Sequence, residues 1–221
     1  MKNPGRIATG AILLLCLTSN TGAQMMRQGP PDMHGIWNPV IGAGAAYEMQ
    51  GKTGEKTSME FAIVGKESIN GKDGYWMEIT MNSARTGGEM VMKNLLVLDG
   101  QNTQTAKFIM QMPGSPPMEM TQMMQRSGRA QHQSADIRTS AEDAGSESIT
   151  VPGGTFTAEH YRMKDGSGDV WVARSVSPYG MVKYQGKDTT MVLTKVVTNA
   201  KDKITGTPQP FNPAAFGQQP Q

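Results

Sequence analysis

Residues 148–198 read SITVPGGTFTAEHYRMKDGSGDVWVARSVSPYGMVKYQGKDTTMVLTKVVT, and this stretch decides the fold class. Five runs have strand character: Ser148–Val151, Thr155–Met163, Asp169–Arg174, Met181–Gln185 and Thr189–Thr198. Turn formers separate them: Pro152-Gly153-Gly154, Asp165-Gly166-Ser167-Gly168, Ser177-Pro178-Tyr179-Gly180 and Gly186-Lys187-Asp188. Short runs rich in β-branched and aromatic residues, bounded by Gly, Pro, Asp and Ser clusters, are strands of an antiparallel domain.

Upstream the period is still 2. In Thr57–Val64, Met59, Phe61 and Ile63 alternate with Ser58, Glu60 and Ala62. In Tyr75–Asn82, Tyr75, Met77, Ile79 and Met81 share one phase. In Thr103–Met112, Ala106, Phe108, Met110 and Met112 do so. Alternation of this kind puts apolar side chains on one face of a sheet. Asn70-Gly71 and Asp73-Gly74 are hairpin dipeptides between the first two runs. Met90–Leu98 is apolar in both phases, as expected of a central strand or one covered on both sides. Ser115-Pro116-Pro117 before Met118–Arg126, with Gly128 beyond, is helix punctuation. It predicts a short helix with Met120, Met123 and Met124 on one face. Residues 127–146 are polar and are expected to be loop, with one strand near Asp136–Thr139.

The two ends have a different composition. Lys2 and Arg6 precede an apolar stretch from Ile7 to Leu17, and Thr21-Gly22-Ala23 supplies small residues before Gln24. This is the pattern of an export signal cleaved near Ala23, with a retained N-terminal anchor and lipidation at Cys16 as the alternatives. The apolar stretch falls short of the ~20 residues of a spanning helix. Residues 24–44, with Pro30, Pro31 and Pro39, are expected to be an extended lead-in, residues 45–204 a single β domain, and the Pro/Gln-rich residues 205–221 a disordered tail. The expected location is the periplasm or the exterior.

Cleavage removes Cys16, the only cysteine, so the mature chain forms no disulfide and has no thiol nucleophile. It also removes Lys2 and Arg6, leaving 19 basic residues against 19 acidic ones. A neutral chain without a basic stripe is a poor nucleic-acid binder. Among the histidines, His34 lies in the lead-in, His132 in a polar stretch and His160 on a strand in phase with Phe156 and Ala158. The expectation for His160 is a packed, hydrogen-bonded residue. No nucleophile elbow, zinc-protease helix or phosphate loop is present. No catalysis and no cofactor are expected.

Methionine is the unusual residue. Of 19, ten lie between Met77 and Met124. The apolar phases and the helical stripe together mark a candidate groove: Met59, Phe61, Met77, Ile79, Met81, Phe108, Met110, Met112, Met120 and Met124, with Met191 and Leu193 completing it. Methionine is flexible and polarizable and suits a surface that accepts ligands of varied shape. The same letters also write a packed core. A third reading is Cu(I) binding by Met110-x-Met112 and Met118-x-Met120, because thioethers are soft ligands.

The run Val151-Pro-Gly-Gly-Thr-Phe156, then Asp169-Val-Trp-Val172, Pro178-Tyr-Gly-Met-Val-Lys183 and Thr190–Val197, resembles small exported bacterial proteins similar to the periplasmic lipoprotein-carrier (LolA-like) superfamily. The resemblance implies a mainly β fold: a strongly curved antiparallel sheet, a half-open barrel, with one or a few short helices over its concave face. It implies an apolar concave face that holds acyl chains. The expected function is binding of a hydrophobic small molecule or acyl chain by a monomer. The alternative is a structural or interaction module with an envelope protein as partner.

Overall fold

The computed structural model describes residues 35–83, 87–99, 102–126, 133–134 and 136–211. The expected export signal, the expected lead-in up to residue 34 with His34, His132 and residues 212–221 of the expected tail lie outside the described residues.

The strands are β1 (Ala43–Gly51), β2 (Lys56–Ile69), β3 (Lys72–Ser83), β4 (Gly88–Asp99), β5 (Asn102–Gln111), β6 (Met118–Glu119) and β7 (Gln133–Ser134). They continue as β8 (Ala141–Val151), β9 (Gly154–Met163), β10 (Gly168–Val172), β11 (Met181–Gly186), β12 (Thr189–Thr198) and β13 (Gln209–Pro210). The one α-helix among the described residues, α1, spans Thr121–Arg126. Twelve strands follow one path, β13-β6-β5-β4-β3-β2-β1-β12-β11-β10-β9-β8, and β7 pairs β5 beside it. The sheet is curved and does not close, as the strand pattern and the resemblance led one to expect. All pairings are antiparallel except β13 with β6.

Local sequence explains the turns and the curvature. Asn70 and Gly71 both adopt positive φ, 51° and 77°, and join β2 to β3 as a two-residue turn. That geometry matches the twist of paired strands and favours Asn-Gly. Asp73-Gly74 is not a turn but part of β3. The register skips one residue at Val64 in β2, Ala106 in β5, Ala144 in β8, Val182 in β11 and Thr194 in β12. Each extra residue is a bulge that bends its strand, so five bulges curl a long sheet.

Both faces of the central strands are covered. On the concave face one hydrophobic cluster runs from β5 to β9 through β1 and β12. On the convex face residues 202–205 cross β2–β5. Lys203 donates its backbone N–H to Glu78 Oε2 at 3.0 Å and its ammonium to Glu60 at 3.0 Å and Thr80 at 3.1 Å. Thr205 N–H reaches Gln111 Oε1 at 3.1 Å, and β13 then extends the sheet beyond β6. Val91, Leu95 and Val97 of β4 are buried on the convex phase and Met92 and Leu96 on the concave one. This accounts for the two apolar phases of Met90–Leu98.

Several elements differ from expectation. The helix predicted over Met118–Arg126 begins only at Thr121, because Met118 and Glu119 pair with Met110 and Ile109 as β6. Asp136–Thr139 is not a strand: Asp136 caps a 3-10 turn over Ile137–Thr139, accepting Arg138 N–H at 2.9 Å. The polar stretch expected as loop to residue 146 becomes β8 from Ala141. The expected lead-in overlaps β1, which starts at Ala43. The predicted strand Asp169–Arg174 ends at Val172, and Ala173 N–H bonds Gly180 O at 2.7 Å. Residues 205–211 of the expected tail lie along the sheet as described above.

Candidate functional site

Antiparallel pairing puts opposite residues on the same face, so the register maps the concave face directly. One row runs Tyr47–Met59–Met81–Met90 across β1, β2, β3 and β4. The next runs Phe61–Ile79–Met92–Met110–Met118 across β2 to β6. A third runs Ile63–Met77–Asn94–Phe108. On the other side of β1, Tyr47 opposes Leu193 and Met49 opposes Met191 on β12.

The structure brings the predicted groove residues into one place. Met59, Phe61, Met77, Ile79, Phe108, Met120, Met124, Met191 and Leu193 are all buried in one cluster. Met81 and Met110 are half-buried against it, and Met112 is half-buried at the end of β5. Met120 and Met124 seal the sheet from above: Met120 N–H bonds Phe108 O at 2.8 Å, and Met124 N–H closes the first turn of α1 onto Met120 O. The deep part of the face is therefore packed side chain against side chain. The rim is more open, where Met81, Met90, Met110, Met118 and Met123 are only partly covered.

The two halves of the sheet fill their interiors differently. In the half built from β9–β12 the buried residues include Val170, Val172, Val182 and Leu193 together with Met163, Met181 and Met191. In the half built from β2–β6, Met59, Met77 and Met92 are buried beside Phe61, Ile63, Ile79, Leu96 and Phe108, and Met81, Met90, Met110 and Met118 are partly covered. Burying a methionine gives up more rotamer freedom than burying a branched aliphatic residue, up to ~2 kcal/mol against ~1 kcal/mol. The further, partly covered thioethers along β3–β6 are thus a departure from what a β core needs.

Three residues missed by sequence reasoning complete the interior. Asn94 shares its phase with Met90, Met92 and Leu96, is 2 % exposed, and has no hydrogen-bond partner on either Nδ2 or Oδ1. The Trp37 Nε1 and the Tyr179 hydroxyl are likewise buried without a partner. Trp37 meets Tyr75 edge-on at 6.3 Å and Tyr179 at 5.1 Å between ring centres. It is held there because Ile36 N–H bonds Tyr179 O and Asn38 N–H bonds Pro178 O, both at 2.7 Å. Tyr47 is also buried, but its hydroxyl donates to Met181 O at 2.8 Å. Burial pushes the phenols of Tyr47 and Tyr179 far above the usual range, so both stay neutral. An asparagine in an apolar phase was the one signal available in the sequence.

The convex face has two polar clusters. Glu78, 2 % exposed, sits beneath the crossing segment. Burial, reinforced by the hydrogen bond and charge of Asp202, pushes its carboxyl up to about 7 against the pull of Lys203 N–H. For Asp202, burial acts upward, but the hydrogen bonds from Lys93 and Ile204 N–H prevail and hold it below the usual value. In the other half, His160 stacks on Trp171 at 4.5 Å and 8°, with its Nε2 2.9 Å from Asp169 Oδ1. The Lys183 ammonium lies 4.6 Å from the Trp171 ring centre. His160 is thus packed and hydrogen-bonded. Among the described residues no group of His, Asp or Glu has the arrangement of a metal site, and no helix is long and apolar enough to cross a membrane.

No family model and no curated protein matches this chain. Two solved structures are similar to it. One is a candidate lipoprotein from Parabacteroides distasonis ATCC 8503, 14% identical with a TM-score of 0.35 over 75% of this chain and 100% of that one. The other is a candidate exported protein with YmcC-like fold from Bacteroides fragilis NCTC 9343. It is 11% identical with a TM-score of 0.37 over 74% of this chain and 99% of that one.

Proposed function

We propose that this chain is an exported, non-catalytic binding domain that takes up a hydrophobic ligand, the aliphatic chain of a lipid or of an acylated protein. The observation that carries the reading is the division of the concave face. Each half buries three methionines, and the β2–β6 half adds the in-register Met81, Met90, Met110 and Met118, which stay half-buried. Flexible thioethers at a partly open rim can part and re-pack around a guest that a Val or Ile lining would exclude. The test is native mass spectrometry of the protein extracted from membranes, followed by thermal unfolding with aliphatic probes. Bound ligand at 100-fold its dissociation constant adds ~2.7 kcal/mol. Lipid-free protein that gains no stability from any probe refutes the proposal.

One observation favours a second reading. Met92, Met110 and Met118 stand directly opposite one another on three adjacent strands, and three thioethers suit Cu(I). Competition with a Cu(I) chelator decides it. Equal uptake by wild type and by a variant with Met92, Met110 and Met118 replaced by Leu removes the metal.

A further inference from the structure

We propose that Asn94, Trp37 and Tyr179 read the polar end of the ligand, and that this end is an uncharged carboxamide on the aliphatic chain. The inference rests on the binding reading above and narrows it. Buried polar groups in proteins are nearly always hydrogen-bonded. Here the carboxamide of Asn94, the indole N–H of Trp37 and the hydroxyl of Tyr179 are all buried and all without a partner. Trp37 is 5.1 Å from Tyr179 and 6.3 Å from Tyr75 between ring centres, and Asn94 lies beside Tyr75. Trp37 packs on its ring, and Asn94 is its diagonal neighbour, since Tyr75 opposes Leu96 and Met77 opposes Asn94.

The chemistry of the three groups selects the guest. Asn94 offers a donor and an acceptor side by side, while Trp37 offers a donor and Tyr179 a hydroxyl. A carboxamide returns the same pair to Asn94: its C=O accepts from Nδ2 and its N–H donates to Oδ1. The second lone pair of that C=O is left for the indole or the hydroxyl. A carboxylate is disfavoured. The residues of the three rows around Asn94 carry no charge, and a buried carboxylate without a cation is expensive. An ester or an alkane leaves Asn94 Oδ1 unpaired. Leu96, Met77 and Phe108 beside Asn94 belong to the packed deep face and must part, together with the rim methionines, to receive the aliphatic part.

The experiment is calorimetric titration of the full chain at neutral pH with decanamide, decanoate and methyl decanoate. Decanamide is expected to bind at least ~10-fold more tightly than the other two, the equivalent of one well-made hydrogen-bond pair. Asn94→Leu is expected to abolish that preference, and Tyr179→Phe to reduce it. Equal affinity of wild type for all three probes overturns the inference and leaves the binding function standing. So does an Asn94→Leu variant that still prefers the amide. Failure of every probe to bind overturns the function itself. An ordered water bonded to Asn94 with decanamide bound elsewhere, seen in a high-resolution structure, overturns the assignment of these residues.

Discussion

Replacing Glu78 by Gln isolates the segment that crosses the convex face. Glu78 Oε2 accepts Lys203 N–H, and its carboxyl shares a hydrogen bond with Asp202. A glutamine can keep both, accepting through Oε1 and donating through Nε2, without binding a proton. The folded carboxyl titrates near 7 against an ordinary 4.5, so between these values the folded chain holds a proton that the unfolded chain has released. Stability from this group is full below the ordinary value and is lost as pH rises through the folded one. At ~1.4 kcal/mol per pH unit, the loss across that window is about 3 kcal/mol. Asp202 works in the opposite sense. Its folded value is depressed, so its contribution is present above the ordinary 3.8 and falls away only in stronger acid, outside the window. Glu78→Gln is therefore expected to match wild type near pH ~4.5 and to exceed it by about 3 kcal/mol near pH ~8. Urea unfolding followed by tryptophan fluorescence at several pH values measures the difference. A wild-type-minus-variant difference that stays constant across the window refutes the reasoning.

Three further substitutions test the packing. Gly153→Ala places a Cβ 2.8 Å from Leu193 Cγ and 3.2 Å from Leu193 O, where the β8–β9 turn docks on β12. It is expected to destabilise by about 2 kcal/mol in thermal unfolding, and a neutral result shows that the turn is not held there. Tyr47→Phe removes the bond to Met181 O inside the core and is expected to lose about 1–2 kcal/mol with an unchanged circular dichroism spectrum. Asn94→Leu, in the ligand-free protein, removes two unpaired polar atoms and is expected to raise the urea midpoint by the equivalent of about 1–2 kcal/mol. A fall in midpoint shows that Asn94 is paired.

The elements legible in the sequence are those whose neighbours in space are neighbours in the chain. The β2–β3 hairpin announces itself through Asn70-Gly71 and the alternation of Met59, Phe61, Met77 and Ile79. The first part of β8, residues 141–147, does not, because β8 is the last strand of the path and is exposed along that part after Ala141, so no apolar phase marks it. Its pairing with β9 makes it a strand. For Met118-Glu119, pairing with β5 and β13 overrode the helix signals. Met81 and Met110 could be listed from period alone, but Met90, in a run apolar on both faces, and Met118, under helix signals, could not. The polar end could not: Trp37 comes from a stretch without periodicity and Tyr179 from a turn, and only tertiary packing brings Trp37 against both Tyr75 and Tyr179.

The place of β1 has a consequence for how the chain folds. Each half of the sheet is a succession of hairpins that can zip locally, but β1 is the joint between them, and its second partner is β12, with Ala43 opposite Thr198. The segment that covers β2–β5 comes later still. Forming contacts of such sequence separation requires closing nearly the whole chain as a loop, which makes folding slow. A chain emerging progressively from a ribosome or a membrane pore holds its first strand without its final neighbour until residue 198 has followed. The native sheet is thus reached after delivery of the polypeptide is nearly complete, a topology suited to a protein that is threaded first and folded afterwards.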